Sequence, residues 1–292
     1  MKKLLIIIFS LIISFCFSQT KEQLIDSIIK VNIVESNCIG YGCMPSSQYK
    51  RFKKLKQKLP DKELSELLKH ENPTIRTYTY IEFIQSGKGN VPEMLSTELQ
   101  KNEMVETFEG CIMDVEPVSS IIYHEYWNKI RIEASRKVKG NNYEQDLAMK
   151  KALATDLTME KLDSVIIYSK KEVYWLLYDR TFKNRKHKES YLPRIRELAF
   201  KESNAYAFDY LKKHYNSKYS NELENYLKND FPNAKFKTEN EVFYLHLFIK
   251  ILLKSKNDDF KKIAIEKLKT NQTWKKHKGW FNTTLKKHGI SL

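Results

Sequence analysis

The stretch from Glu63 to Gly87, ELSELLKHENPTIRTYTYIEFIQSG, constrains the fold of this chain more than any other. Leu64, Leu67 and Leu68 recur at helical spacing before Glu71-Asn72-Pro73, and Tyr78, Phe83 and Ile84 form an apolar set after it. An Asn side chain before a helix accepts a first-turn N–H. A Pro at the first helical position loses nothing by lacking one. Asn72 and Pro73 therefore predict a helix start, and Gly87 predicts its end. The reading is helix, tight turn, helix.

The same periodicity extends along much of the chain. Leu24, Ile25, Ile28 and Ile29 place an amphipathic helix over 21–32. Tyr49, Phe52, Leu55 and Leu59 place another, with a lysine-rich outer face, after Pro45-Ser46-Ser47. Between them, 33–44 reads as a loop. Residues 91–99 and 117–132 read as helices, and 103–114 as a loop or a short extended segment. Residues 135–145, SRKVKGNNYEQ, are polar and carry Gly and Asn, which marks a boundary or flexible loop. From 146 onward helical stripes dominate. The turns Glu202-Ser203-Asn204 and Lys256-Asn257-Asp258 echo Glu71-Asn72, and the apolar run VFYLHLFIKILL predicts a buried helix.

Leu64, Leu67 and Leu68, then Asn72-Pro73-Thr74-Ile75-Arg76, then Tyr78, Phe83 and Ile84, resemble one HEAT repeat. Thr79 and Tyr80 stand where that family favours alanine, so local packing must differ. The resemblance covers 63–87. It implies an all-α, α-solenoid-like stack of antiparallel helix pairs, degenerate in sequence and with an irregular segment around 100–116. It also implies structural roles for Asn72, Pro73, Ile75 and Arg76, with Arg76 pairing to a carboxylate of a neighbouring turn. The expected organisation is a leader over 1–18, an N-terminal helical region over 19–134, the 135–145 loop and a C-terminal helical-repeat region over 146–292.

The first residues set the expected compartment. Lys2 and Lys3 precede the apolar run LLIIIFSLIISFCF, with Ser18 next. Such a segment reads as a secretory signal peptide, cleaved after Ser18. It is shorter than the roughly 20 residues a spanning helix prefers, and no other segment of the chain reads as transmembrane. The alternative is a lipid anchor on Cys16, although Phe15 occupies the position where lipoprotein signals place a small residue. Export permits disulfides. Cys38 and Cys43 bracket Ile39-Gly40-Tyr41-Gly42, so a Cys38–Cys43 bridge is the first expectation, with Cys111 left free and buried. Pairing of Cys111 with either of the others remains open at this stage.

Candidate chemistry is sparse. His124-Glu125 begins a zincin pattern, but Asn128 stands where the second histidine is required. The other histidines lack metal-ligand spacing, and one C-x4-C without a second pair does not make a zinc site. No G-x-S-x-G elbow and no phosphate-binding G-x-x-x-x-G-K-[ST] loop occurs. These absences predict no catalytic residues, no metal and no cofactor. The net charge of +15 allows an approach to anionic envelope polymer or lipid, or simply a solvated lysine surface. Nucleic acid is not an expected partner. In the C-terminal tail, Trp274 and Trp280 lie among Lys275, Lys276 and Lys278, a pattern able to hold an anionic polymer. The same spacing, with Phe281 and Leu285, suits a capping helix. The expectation is a secreted or periplasmic helical-repeat protein that acts as a scaffold or binds a protein partner in the cell envelope; the alternative is a binder of anionic envelope polymer or lipid through the basic tail. An unrecognised hydrolase is the remaining reading.

Overall fold

The computed structural model describes residues 19–292 except residue 256. The leader expected over 1–18, with the Cys16 anchor and the cleavage point after Ser18, lies outside the described residues, as does Lys256. The chain is mostly helical, with a mixed four-stranded sheet. It divides into two compact units, one ending at Tyr126 and the next beginning at Trp127.

The first unit starts with α1 (Lys21–Val31), entered through a capping box between Thr20 and Gln23, and buries Leu24 and Ile28. Strands β1 (Ile33–Ile39) and β2 (Met44–Pro45) follow, then α2 (Ser47–Lys58), whose first-turn N–H of Tyr49 donates to Ser46 Oγ. Helix α3 (Asp61–Glu66) runs through a 3-10 turn (Leu67–Lys69) to the turn foreseen at Asn72. There α4 (Pro73–Gln85) opens with the Ile75 N–H on Asn72 Oδ1 at 3.1 Å. Then come α5 (Val91–Lys101), β3 (Met104–Gly110), β4 (Ile112–Pro117) and α6 (Val118–Arg136), of which the residues up to Tyr126 belong to this unit.

The mostly helical class agrees with the all-α expectation, and the sheet is an addition to it. The segment read as a loop over 33–44 holds β1 and the start of β2 about a tight turn, and the one read as a loop or short extended segment over 103–114 holds β3 and most of β4; the strand order is β2-β1-β3-β4. β1 runs parallel to β3, with Ile33 beside Glu106 and Val34 beside Thr107. β3 and β4 form a hairpin that pairs Glu106 with Val115 and Phe108 with Met113. Each helix that leads into β1 or β3 stops on an asparagine in the left-handed region, Asn32 at φ 55° and Asn102 at φ 51°. Asparagine tolerates that conformation better than most residues, so it turns helix into strand at low cost. Tyr78 of α4 fastens β1: its hydroxyl donates to the Glu35 carbonyl at 3.0 Å and accepts from the Glu35 N–H at 2.7 Å.

The second unit is helical. It holds α7 (Asn142–Thr155), α8 (Leu157–Tyr168), α9 (Trp175–Asn184), α10 (Leu192–Phe200), α11 (Ala205–Asn225), α12 (Glu239–Lys254), α13 (Asp258–Thr270) and α14 (Lys278–Lys286). Helix α11 bends at Tyr215 (φ −138°, ψ 25°) and passes into a π-turn at Tyr226–Asp230. The apolar run in α12 is buried as its composition predicts. Phe248 sits at its centre, with the rings of Phe208, Phe231 and Tyr226 at 5.2, 5.0 and 5.6 Å between centroids.

Candidate functional site

The residues singled out in the HEAT-like turn are held by the fold. Ile75 is fully buried, and Arg76 spends its guanidinium inside the first unit. It donates to the carbonyls of His70 and Glu71, each at 2.7 Å, and to Glu98 Oε1 at 3.0 Å, and it also pairs with Glu103. Tyr80 OH donates to the same Glu98 carboxylate at 3.0 Å. The partner of Arg76 is thus the following helix and the residue before β3. Burial and the Glu98 carboxylate push the Tyr80 hydroxyl upward.

The tail divides into an inner and an outer part. Trp274 is buried, its indole N–H donating to the Leu268 carbonyl at 2.8 Å, and Phe281 and Leu285 are buried beside it. Trp280 is about half exposed and stacks on His277 at 4.9 Å. Lys275, Lys276 and Lys278 face solvent, with Lys276 within 3.7 Å of Glu239. His277 reaches the same Glu239 at 2.7 Å and lowers that carboxyl below its ordinary range. Among the described residues no three His, Cys, Asp or Glu side chains gather as metal ligands.

Cys38 and Cys43 are joined by a disulfide, with Cα atoms 4.7 Å apart. This bond closes the β1–β2 turn and lifts Tyr41 into solvent, 96% exposed. Cys111 is a free, exposed thiol, contrary to the expectation that it is buried. The reason is its position: it lies in the tight Gly110-Cys111 turn that joins β3 to β4. Gly110 takes φ 53° there, a conformation that glycine enters without strain. The two turns are neighbours, since the Gly40 N–H donates to the Gly110 carbonyl at 2.6 Å.

Around these turns the sheet carries a surface that helical periodicity does not reveal. Among the described residues β4 is an edge strand, paired on one side only. Ile112 is 70% exposed, and Met113, Val115, Met104, Met44 and Tyr41 are exposed as well. Alternation along the strands puts Met113 and Val115 on the face of Phe108 and Glu106, with Asp114 and Ile112 on the other. Between these apolar residues stand the exposed carboxylates of Glu106, Glu109 and Asp114. No lysine or arginine falls between 102 and 128, in a chain whose net charge is +15. The concentration of charge is felt nearby: burial first, then Glu109 and Glu116, hold the Glu125 carboxyl above its usual range. The Asp114 carboxylate accepts the Val115 N–H at 2.8 Å, so one edge donor is covered by its own neighbour.

An exposed strand edge is a template for another strand, and proteins ordinarily blunt it with lysines, prolines or a covering element. Here it bears apolar side chains and acids instead. Main-chain pairing can supply affinity along such an edge, with alternate side chains supplying selectivity. No known family, curated protein or solved structure matches this chain. The functional reading therefore rests on the site itself.

Proposed function

We propose that this chain is an exported, non-enzymatic binding protein whose first unit receives an extended, basic and partly apolar segment of a partner protein alongside β4. The observation that carries the reading is the acidic, apolar edge strand in an otherwise basic chain. A second copy of the same edge would bring the acids of β4, Asp114 and Glu116, and Glu109 on the adjoining strand, close to their own kind, and like charges across paired strands repel. A segment that alternates Lys or Arg with Val, Ile or Leu meets the carboxylates with cations and the exposed methionine and valine side chains with apolar surface. The Cys38–Cys43 disulfide supports an oxidising compartment and so the exported reading. None of the described helices is long and apolar enough to cross a membrane. The capped Asn72-Pro73 turn supports the HEAT-like origin of the helix pair that backs the sheet.

The test is fluorescence anisotropy of a short labelled peptide alternating lysine and valine, against one alternating glutamate and valine. The lysine peptide saturates the protein and weakens as salt is raised, because exposed charges are screened. The exposed pair Glu109→Lys and Asp114→Lys weakens binding roughly tenfold or more, equivalent to about 1.4 kcal/mol. Equal affinity for both peptides, or affinity indifferent to the charge reversal, refutes the proposal. The anionic-polymer reading predicts instead retention that disappears when Lys275, Lys276 and Lys278 become Glu.

A further inference from the structure

The second unit contains a pocket of about 620 Å³, bordered by the N-terminal ends of α9, α11 and α12. Two tyrosines lie in its wall. Tyr178 is 4% exposed and Tyr244 is 8% exposed, and their rings meet edge to face at 6.5 Å. Neither hydroxyl has a hydrogen-bond partner among the described residues. A buried phenol ordinarily finds one, because an unmade hydrogen bond costs more than a made one gains. Burial drives both hydroxyls well above the ordinary tyrosine range, so each is neutral and able to donate.

The charges around them are uneven in a useful way. Three carboxylates line the pocket, and each is engaged. Glu172 accepts from Asn240 Nδ2 at 2.8 Å, Glu202 is paired with Arg194, and Glu241 accepts the Thr238 N–H at 2.9 Å in its capping box. Three lysines, Lys171, Lys201 and Lys235, also line it, and none forms an ion pair among the described residues. The positive ends of three helix dipoles add to the same sign. Most first-turn N–H groups there are already taken: Trp175 donates to Asn240 Oδ1 at 3.1 Å, and Tyr206 and Ala207 to Asn204 Oδ1, each at 3.1 Å. The groups left to meet a ligand are therefore two neutral phenols, uncommitted ammonium groups and the spare lone pairs of fixed carboxylates.

We infer that this pocket binds a small polyhydroxylated anion, of the size of a sugar acid or sugar phosphate. Its anionic group lies toward the lysines, and its hydroxyls bond with Tyr178, Tyr244 and the carboxylate oxygens. The volume falls within the range of pockets that enclose small ligands. The shared chemistry is an oxygen-rich anion. Carboxylate and phosphate are its two sources, and the inference is independent of the sheet edge in the first unit.

The experiment is calorimetric titration of the full chain with glucuronate, glucose 6-phosphate, glucose and inorganic phosphate. One or both of the charged sugars binds saturably and more tightly than glucose or phosphate, and the tighter of the two identifies the anionic group. In Tyr178→Phe/Tyr244→Phe, which removes only the two hydroxyls, that affinity falls roughly tenfold, while the melting temperature of the free protein holds or rises. The exposed pair Lys201→Glu/Lys235→Glu weakens it also. The inference fails if neither charged sugar binds, if phosphate alone binds as well as the sugar phosphate, or if affinity survives loss of both hydroxyls. A lowered melting temperature in the tyrosine variant also overturns it, because the hydroxyls would then be bonded within the protein.

Discussion

Arg76 shows how much of this chain's polar chemistry is structural. Its partner Glu98 is 0% exposed, and among the described residues only Tyr80 OH and Lys101 Nζ, at 3.0 and 3.1 Å, otherwise reach that carboxylate. Removing one member of a buried ion pair strands the other, which typically costs about 3 kcal/mol or more. Arg76→Leu therefore lowers the urea stability of the first unit by about that amount, and adding Glu98→Leu recovers a good part of it. Equal stabilities for the single and double variants would show that Glu98 is compensated elsewhere. His187 makes a different prediction. Its Nε2 lies 3.0 Å from the Thr181 carbonyl, and burial, aided by Arg185 and His214 against Glu160, depresses its pKa from 6.5 to about 4. The unfolded chain then binds the proton more readily between those values, so stability is whole above pH 6.5 and falls as the pH drops toward 4. Acidifying from pH 7 to pH 5 costs about 2 kcal/mol through this one group. His246, also depressed to about 4 by burial, adds to it. His187→Gln flattens the pH dependence of the melting temperature over that window, and an unchanged slope would contradict the assignment.

At the scale of elements, two devices recur. Asparagine side chains start α4, α5, α7, α11 and α13 from Asn72, Asn90, Asn141, Asn204 and Asn257. Buried cations finish other segments by taking carbonyls that a helix end leaves unbonded. Arg76 holds His70 and Glu71. Arg194 holds Ile167 and Ser169 at 3.0 and 3.1 Å, Arg185 holds Leu153 and Asp156, and Lys267 holds Pro232 and Ala234. These devices explain what the sequence discloses. The asparagine caps and the 3.6-residue stripes are local, so the helices around Asn72 and Asn204 and the short Cys38–Cys43 loop can be read directly. The strands cannot. Ile33 pairs with Glu106, more than seventy residues away, and only the fold creates that neighbour. The alternation in β4 places apolar residues toward solvent, so it marks no buried face. The exposure of Cys111, against expectation, has the same cause: it follows from a turn that the hairpin alone defines. The pocket tyrosines were equally hidden, since Tyr178 and Tyr244 occupy helix-packing positions. Only the missing partners of their hydroxyls set them apart.

On the scale of the whole molecule, the sheet-bearing unit is acidic at one edge and the helical unit holds a pocket lined in part by Lys171, Lys201 and Lys235. The chain's excess of lysine is then less informative than the place where lysine is missing, between 102 and 128. The central claim is that β4 accepts a strand. Hydrogen exchange of the full chain, with and without the lysine–valine peptide, tests it most directly, because a strand added at an edge hydrogen-bonds amides that otherwise face water. The expected result is slowed exchange in Ile112–Pro117 when the peptide is present, lost with Glu109→Lys/Asp114→Lys. Exchange in β4 that is unchanged by saturating peptide, or protection confined to the helices of the second unit, would contradict it.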